Sequence, residues 1–329
     1  MATLQMYMDQ SRIRNTFDSP VYREVWGKGF GVDNAVGEIQ KILVHRPGKE
    51  LEDWKDGVYV EEAGSQILFD EKGRIRSYLK GKEPINLPLM QKQHDALTEI
   101  LRREGIEVLN LDDPTYQWTN LTFARDVALM TPNGAILTRF AMYFHQGDAV
   151  AAQNFFTRQG IPILGAIQGR GTVEGGAFCL LDPHVAIVTR SVRVNDEGIE
   201  QLRNLLSYQD IDLWVLDMPA AYIHLDEAFV PVDKDKILVS TFILPEWFLK
   251  KLQNRGYKLI ETDPLDPPLT NNCLAIRPGT VVFNAHGTRT IENLKKAGVK
   301  VIPVDISEIN RIGGGIHCAT LPLLRKSVY

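Results

Sequence analysis

The sequence predicts an α/β fold built from five copies of one unit, in which two paired strands, a helix and a further strand follow one another. Helix stops at similar intervals are the first observation. The second observation is a short apolar strand after each stop. The third is a set of turn signals between paired strands. Each stop is a glycine, or once an aspartate, after a polar last turn; the stops are Gly105, Gly160, Asp210, Gly256 and Gly298.

The segments before these stops have the periodicity of amphipathic helices. Met90, His94, Leu97 and Leu101 share one helical face. Further sets with this spacing are Ile199, Leu202 and Leu206, then Ile291 and Leu294. Asn195, followed by Asp196 and Glu197, is typical of a helix N-cap with an acidic first turn.

Each unit also contains a second set of apolar strand segments. Turns at Pro132–Gly134 and Arg277–Gly279 predict that some of these strands pair as hairpins. The predicted segments are Ile42–His45, Val127–Met130, Ala135–Thr138, Val185–Thr189, Ile237–Thr241, Leu274–Ile276 and Val281–Asn284.

Five ββαβ units can close into a ring in which each unit buries its neighbour's apolar face. Loops then converge on a central axis, which is a natural place for a pocket. An open α/β sheet with helices on both faces also fits the pattern.

Two stretches fit no repeat within the expected single domain of residues 1–329. One is an N-terminal extension, residues 1–36. The other is a charged insertion at about 48–88. The insertion is either a solvated surface loop or a cover over the pocket.

Composition narrows the class of protein. The 329 residues carry a formal charge of −4, and 44% are hydrophobic, which is ordinary for a globular protein. No Lys/Arg run indicates a nucleic-acid or membrane surface, and no apolar run is long enough for a signal peptide or membrane span. The widely spaced cysteines Cys179, Cys273 and Cys318 favour reduced thiols and a cytoplasmic location.

Cys318 is the first candidate for chemistry. It follows three glycines, which permit close backbone approach, and the adjacent His317. Cys179 and Cys273 lie in apolar contexts typical of buried thiols. A thiol needs a lowered pKa to attack, so the residues alone leave Cys318 either a nucleophile or a structural thiol.

Three further stretches contain candidate acids and bases. His224 and Asp226 are two residues apart, which on a strand places both side chains on one face; they fit a proton shuttle or a structural histidine. Glu174 precedes two glycines and fits a turn as well as a site. Asp126 follows Arg125, and this pair also fits a surface ion pair.

Other chemistries have weaker signals. His317 with Cys318, and His224 with Asp226, could ligate a metal, but no Cys-x-x-Cys or His-Glu-x-x-His spacing occurs. The sequence contains neither a Gly-x-Ser-x-Gly elbow nor a Gly-x-Gly-x-x-Gly dinucleotide motif.

In combination, Phe-x-Arg-Asp126, Glu174-Gly-Gly, His224-x-Asp226 and Gly-Gly-x-His-Cys318 resemble the guanidino-group-modifying superfamily. This superfamily includes arginine deiminases, dimethylarginine dimethylaminohydrolases and amidinotransferases. The resemblance covers about residues 37–325. It implies a five-bladed α/β propeller (pentein) with pseudo-fivefold symmetry and an axial active site.

The resemblance also implies roles for individual residues. Cys318 is expected as nucleophile, His224 as general acid and base, and Glu174 as the acid that holds or protonates the guanidinium. The residues expected to bind substrate are Asp126, Asp226, Asn120, Arg193 and Arg139.

The expected reaction is hydrolysis at a guanidino or ureido carbon through a covalent thiouronium on Cys318, without metal or organic cofactor. The partner is a small cationic substrate, and a homo-oligomer is left open. Ala177 replaces an aspartate common in the superfamily, and the stretch after Arg139 lacks its usual arginines. The missing aspartate counts against transfer and motivates a guanidinium-binding protein without turnover. That protein class and an amidinotransferase with the same Cys/His set both stay alternatives.

Overall fold

The computed structural model describes residues 4–5, 24–27, 29–112 and 121–329. Its helices are numbered α1 (Leu87–Arg103), α2 (Asp148–Arg158), α3 (Asp196–Ser207), α4 (Glu246–Asn254), α5 (Thr288–Lys296) and α6 (Ser307–Arg311). The first strands are β1 (Ile39–Val44), β2 (Val58–Val60), β3 (Ser65–Phe69), β4 (Ile75–Lys80), β5 (Glu107–Asn110), β6 (Ala128–Thr131), β7 (Gly134–Leu137), β8 (Ile163–Ala166) and β9 (Phe178–Asp182). The others are β10 (Val185–Arg190), β11 (Asp212–Asp217), β12 (Phe229–Asp233), β13 (Lys236–Val239), β14 (Lys258–Glu261), β15 (Leu274–Arg277), β16 (Thr280–Asn284), β17 (Lys300–Val304) and β18 (Leu321–Arg325).

Five three-stranded sheets share one topology. In each sheet the first strand pairs antiparallel with the second, and the second pairs parallel with the third. A helix makes the parallel connection. The sheets are β18-β1-β5, β6-β7-β8, β9-β10-β11, β12-β13-β14 and β15-β16-β17. These separate sheets confirm the five predicted ββαβ units, and the alternative of one open sheet is wrong.

The first sheet joins two distant parts of the sequence. β18 pairs antiparallel with β1, with Ile39 opposite Arg325 and Leu43 opposite Leu321. The sequence analysis did not identify β18, because nothing local predicts which strand it pairs with. This pairing connects the fifth unit back to the first.

All five predicted helix stops adopt the left-handed backbone conformation. The φ angles are 83° at Gly105, 66° at Gly160, 56° at Asp210, 90° at Gly256 and 80° at Gly298. A residue in this conformation ends a helix by turning the chain away from the axis, which glycine does at least cost. Each stop leads into the third strand of its sheet, as predicted.

The predicted helix faces are buried. On α1 the buried residues include Met90, His94, Leu97 and Leu101. The Asn195 side chain accepts a hydrogen bond from the Gly198 backbone N–H at 2.9 Å, which confirms the N-cap of α3. Within the described ranges, the helices are too short or too polar to cross a bilayer.

Neighbouring units share their hydrophobic cores. One core joins Leu129 and Ile136 of the sheet β6-β7-β8 to Leu180 and Ala186 of the next sheet, with Leu202 of α3 also packed against them. Burial of this kind stabilises the folded state by roughly 25 cal/mol per Å² of apolar surface removed from water. Each unit thus depends on the next for its stability, as expected for a closed repeat.

The charged insertion lies between β1 and α1 and is ordered. After a 3-10 helix at Lys49–Asp56 it forms an antiparallel sheet in the order β2-β3-β4. Tyr78 of β4 lies against Gly313, where a Cβ atom would be 3.0 Å from the Tyr78 hydroxyl. The insertion therefore reaches the loop that precedes Cys318.

Candidate active site

The repeat itself assembles the candidate site. Asp126, Glu174, His224, Asn272 and Cys318 each lie just before the first strand of one of the five repeated sheets. Fifty residues separate Glu174 from His224, and 46 separate Asn272 from Cys318. Equivalent positions of a closed repeat face the same axis, so each unit contributes one polar side chain to a common centre.

A buried acid–histidine–acid arrangement forms one side of the site. His224 Nε2 lies 2.9 Å from Glu174 Oε2, and His224 Nδ1 lies 3.8 Å from Asp126 Oδ1. Asp126 Oδ1 also accepts a hydrogen bond from the Gly176 N–H at 2.7 Å. A Cβ atom on Gly176 would be 2.6 Å from His224 Nδ1, so glycine is required for this approach.

These neighbours shift the protonation of the three groups. Burial disfavours the imidazolium, but the charge of Asp126 and the hydrogen bond to Glu174 outweigh it and raise the pKa of His224 to about 10. Burial opposes ionisation of Glu174 too, yet His224 and Arg193 lower its pKa to about 2. Burial raises the pKa of Asp126 to about 6. At neutral pH, His224 is therefore a proton donor.

Cys318 lies in the same pocket, held by Asn272. The Cys318 backbone N–H donates to Asn272 Oδ1 at 3.1 Å, and Asn272 Nδ2 donates to Cys318 Sγ at 3.1 Å. Burial, and then the charges of Asp226 and Asp126, raise the pKa of the Cys318 thiol well above its usual range. The thiol is therefore protonated at neutral pH in this structure.

Asp226 and His317 form a second buried pair. His317 Nδ1 lies 2.8 Å from Asp226 Oδ2, and Cys318 Sγ lies 3.6 Å from the same oxygen. Burial and the charge of Arg125 lower the pKa of His317 to about 4, so this histidine is neutral. Asp226 Oδ1 is buried without a hydrogen-bond partner among the described residues, and it is available to a ligand donor.

Aromatic side chains enclose the pocket, whose volume is about 50 Å³. Its wall includes Tyr78, Phe123, Phe140 and Phe144. Arg193 also lines it and donates to both oxygens of Glu174 at 3.2 and 3.3 Å. Across the described ranges, no three His, Cys, Asp or Glu side chains are arranged to hold a metal ion.

The structure brings most of the predicted site residues together. Cys318, His224, Glu174, Asp126 and Arg193 all line this pocket. Asp226 touches it through its contact with the Cys318 thiol.

Three other residues from the sequence analysis have different outcomes. Arg139 is not in the pocket wall; it donates to the Gly169 carbonyl and to Gln146. Asn120 lies outside the described residues. Ala177 is fully buried beside Glu174, so it brings no carboxylate to the site.

Several members of the site were not predicted from the sequence. Asn272 was overlooked, although the regular spacing of the other four axial residues could have indicated it. Tyr78 lies in the insertion, where no repeat predicts its position. His145 and Asp148 also line the pocket, 2.8 Å apart; His145 lies in the loop before α2 and Asp148 is the first residue of α2.

Fold and site together define a guanidino-group-modifying enzyme class, the pentein superfamily. The sequence profile of the family described as "N,N dimethylarginine dimethylhydrolase, eukaryotic" matches residues 70–325. The chain therefore belongs to the dimethylarginine dimethylhydrolase family.

Curated relatives share lower identity over most of the chain. The uncharacterised Bacillus subtilis protein YkgA is 28% identical over 246 residues, which are 73% of this chain and 82% of that protein. An arginine deiminase from Listeria monocytogenes is 25% identical over 310 residues, which cover 80% of this chain and 73% of that protein. The chain is thus similar over most of its length to an uncharacterised protein and to an arginine deiminase.

Solved structures show the same five-bladed α/β propeller. A dimethylarginine dimethylaminohydrolase from Pseudomonas aeruginosa complexed with citrulline superposes with a TM-score of 0.67 at 21% identity, covering 86% of this chain and 99% of that one. The inosamine-phosphate amidinotransferase of Streptomyces griseus superposes with a TM-score of 0.69 at 16% identity, covering 91% of this chain and 97% of that one. The predicted fold class is confirmed.

Proposed function

We propose that the protein is a cysteine-dependent hydrolase that acts on the guanidino or ureido carbon of an arginine-like substrate. One observation carries the proposal. The Cys318 thiol lies within 3.6 Å of Asp226, in a buried pocket that also contains the His224–Glu174 pair. This combines a nucleophile, carboxylates for a cation and a proton donor.

The carboxylates fit a guanidinium. Asp126 and Asp226 are both buried, and the unpartnered Asp226 Oδ1 can accept a hydrogen bond from a substrate N–H. Charge-assisted hydrogen bonds between carboxylates and a planar guanidinium are strong. Without a cation these acids would repel one another in a site of low dielectric constant.

Substrate binding would also activate the nucleophile. The thiol is protonated because burial and nearby carboxylates disfavour the thiolate. A bound cation neutralises those carboxylates and attracts the negative sulfur, so the pKa of Cys318 falls when substrate is present. Asn272 Nδ2, already 3.1 Å from the sulfur, stabilises the thiolate further.

His224 then serves both steps. The thiol proton leaves to solvent as the cationic substrate binds, the thiolate attacks the central carbon, and a tetrahedral adduct forms. Protonated His224 gives its proton to the departing amine as the C–N bond breaks, which leaves a thiouronium on Cys318. Neutral His224 takes a proton from water, the water adds to the same carbon, and cleavage of the C–S bond releases a ureido product and the thiolate. Glu174 orients His224 and stabilises its charged form.

An assay for amine and ureido products tests the proposal. The substrates are arginine, methylated arginines, agmatine, guanidinoacetate and citrulline. Cys318→Ser is the test variant, and Cys179→Ala, which removes a thiol outside the pocket, is the control. EDTA-resistant turnover that survives in the control and disappears in Cys318→Ser supports the proposal. Transfer of the amidino group to an added amine, or binding without turnover, would refute hydrolysis.

A further inference from the structure

The half-buried Arg125 and the buried Arg325 lie beside the active site. Arg125 donates from Nε to the His317 carbonyl at 3.2 Å. Arg325 is 7% exposed and donates from Nη1 to the carbonyls of Gly37 and Ala275 at 2.6 and 2.9 Å. Both side chains line one cavity of about 50 Å³, separate from the pocket of Cys318 and His224.

Within the described part of the chain, no carboxylate accepts a hydrogen bond from either of these arginines. Among the described residues, their hydrogen bonds are to carbonyl groups, and Arg125 Nη2 is buried without a partner. No carboxylate lines the cavity. Asp226 lines a smaller adjoining cavity that shares Arg325 with it, and the charges of Asp226 and Asp126 act on Arg125 from outside the cavity. Neither acid accepts a hydrogen bond from either guanidinium in the ranges that the structure describes.

The other titratable groups that line the cavity are not anions. His317 and Cys179 also line the cavity. Burial raises the pKa of the Cys179 thiol to about 12, and His317 is neutral, so neither is an anion at neutral pH. Burying an unpaired guanidinium costs several kcal/mol, roughly, and proteins offset such a cost with a counter-charge.

We propose that this cavity, bounded by Arg125 and Arg325, binds a small monovalent anion such as chloride. A water needs roughly 10–15 Å³ of such volume, so the cavity holds only a few atoms and excludes organic acids such as gluconate. The anion accepts hydrogen bonds from both guanidinium groups. Because the Arg125 backbone N–H donates to the Cys318 carbonyl at 2.9 Å, the site lies directly behind the nucleophile loop.

Thermal unfolding tests the proposal independently of the enzyme's activity. The protein, purified in sodium gluconate, is titrated with sodium chloride or bromide at constant ionic strength. Arg325→Met removes one anion donor, and Arg289→Met, an exposed arginine of α5, is the matched control. A saturable rise in Tm in the wild type and in Arg289→Met, absent from Arg325→Met, supports the site. No rise, or an equal rise in Arg325→Met, overturns it.

Crystals of the wild-type protein grown in sodium bromide provide a test that does not depend on a variant folding. An anomalous difference peak within hydrogen-bond distance of both Arg125 and Arg325 is expected. An ordered cavity without such a peak would overturn the proposal.

Discussion

Asn272 contacts Cys318 twice, through an amide oxygen that accepts from the backbone N–H and an amide nitrogen that donates to the sulfur, each at 3.1 Å. The same side chain thus fixes the position of Cys318 and donates a hydrogen bond to its sulfur. A Cβ atom on Gly315 would lie 2.6 Å from the Asn272 amide oxygen, which explains why a glycine of the Gly313–Gly315 run is needed there.

Replacing Asn272 with alanine is expected to raise the pKa of the Cys318 thiol and slow turnover. Loss of a hydrogen bond to a charged group costs about 1.5–3 kcal/mol, which corresponds to at least about tenfold in rate. The pH dependence of iodoacetamide alkylation measures the thiol pKa directly. Asn271→Ala, which removes the neighbouring amide, is the control. An unchanged alkylation profile in Asn272→Ala would contradict this role.

Gly176→Ala is expected to impair catalysis by displacing the imidazole of His224. The new methyl group would lie 2.6 Å from His224 Nδ1 and 3.1 Å from Asp126 Oδ1, which is closer than nonbonded atoms tolerate. A shift of about 1 Å in a catalytic group can cost roughly 100-fold. Gly29→Ala, where the nearest atom would be 3.7 Å away, should leave kcat unchanged. Wild-type kcat in Gly176→Ala would show that the contact is unimportant.

Stability should fall as the pH rises above neutral, because of His224. Its pKa is about 10 in the folded protein, against a usual value of 6.5. Between these values the folded state holds a proton that the unfolded state has lost, so unfolding becomes easier with rising pH. The contribution of one proton is up to about 1.4 kcal/mol per pH unit.

Urea denaturation at pH 6.5 to 7.5, roughly, measures this slope where unfolded cysteines are still mostly protonated. His224→Gln should have a smaller slope than the wild-type protein. Parallel curves for the two proteins would mean that His224 does not hold the extra proton.

Tyr78 is expected to limit access to Cys318, because it lines the pocket and packs on Gly313. Tyr78→Ala should accelerate alkylation of Cys318 by a bulky maleimide more than by iodoacetamide. Tyr78→Phe should behave like the wild-type protein, since it keeps the ring. Tyr59→Ala, on β2 of the same insertion, is a control that lies outside the pocket wall. Equal acceleration by both reagents would indicate loosening of the whole insertion rather than removal of a barrier.

The repeated part of the fold was predictable from the sequence because its signals are local. A left-handed residue such as Gly256 follows each helix and precedes a strand, and both features appear within a few residues. β18 was not predictable, because its pairing with β1 depends on closure of the ring. The order of the insertion was missed for a similar reason: its residues follow no repeat, and their charge is typical of a surface loop.

The candidate site was predictable where its residues form a recognisable sequence motif. Cys318 after three glycines and His224 before Asp226 are unusual combinations, and the resemblance to a known superfamily gave them roles. Asn272 has an ordinary sequence context, so only its contact with the thiol reveals it. Arg139 shows the opposite case: its position in the sequence favoured substrate binding, whereas its side chain contacts Gly169 and Gln146 outside the pocket wall.

The pairing of β18 with β1 has a consequence for synthesis of the protein. Cys318 and β18 follow the other described elements in the sequence, so the ribosome makes them after Asp126, Glu174 and His224. Until β18 is synthesised, one edge of β1 is unpaired and can form hydrogen bonds with strands of other chains. The nascent protein therefore has the acids and the base of the site but lacks its thiol. Translation itself delays assembly of the candidate site until the last of the five sheets is complete.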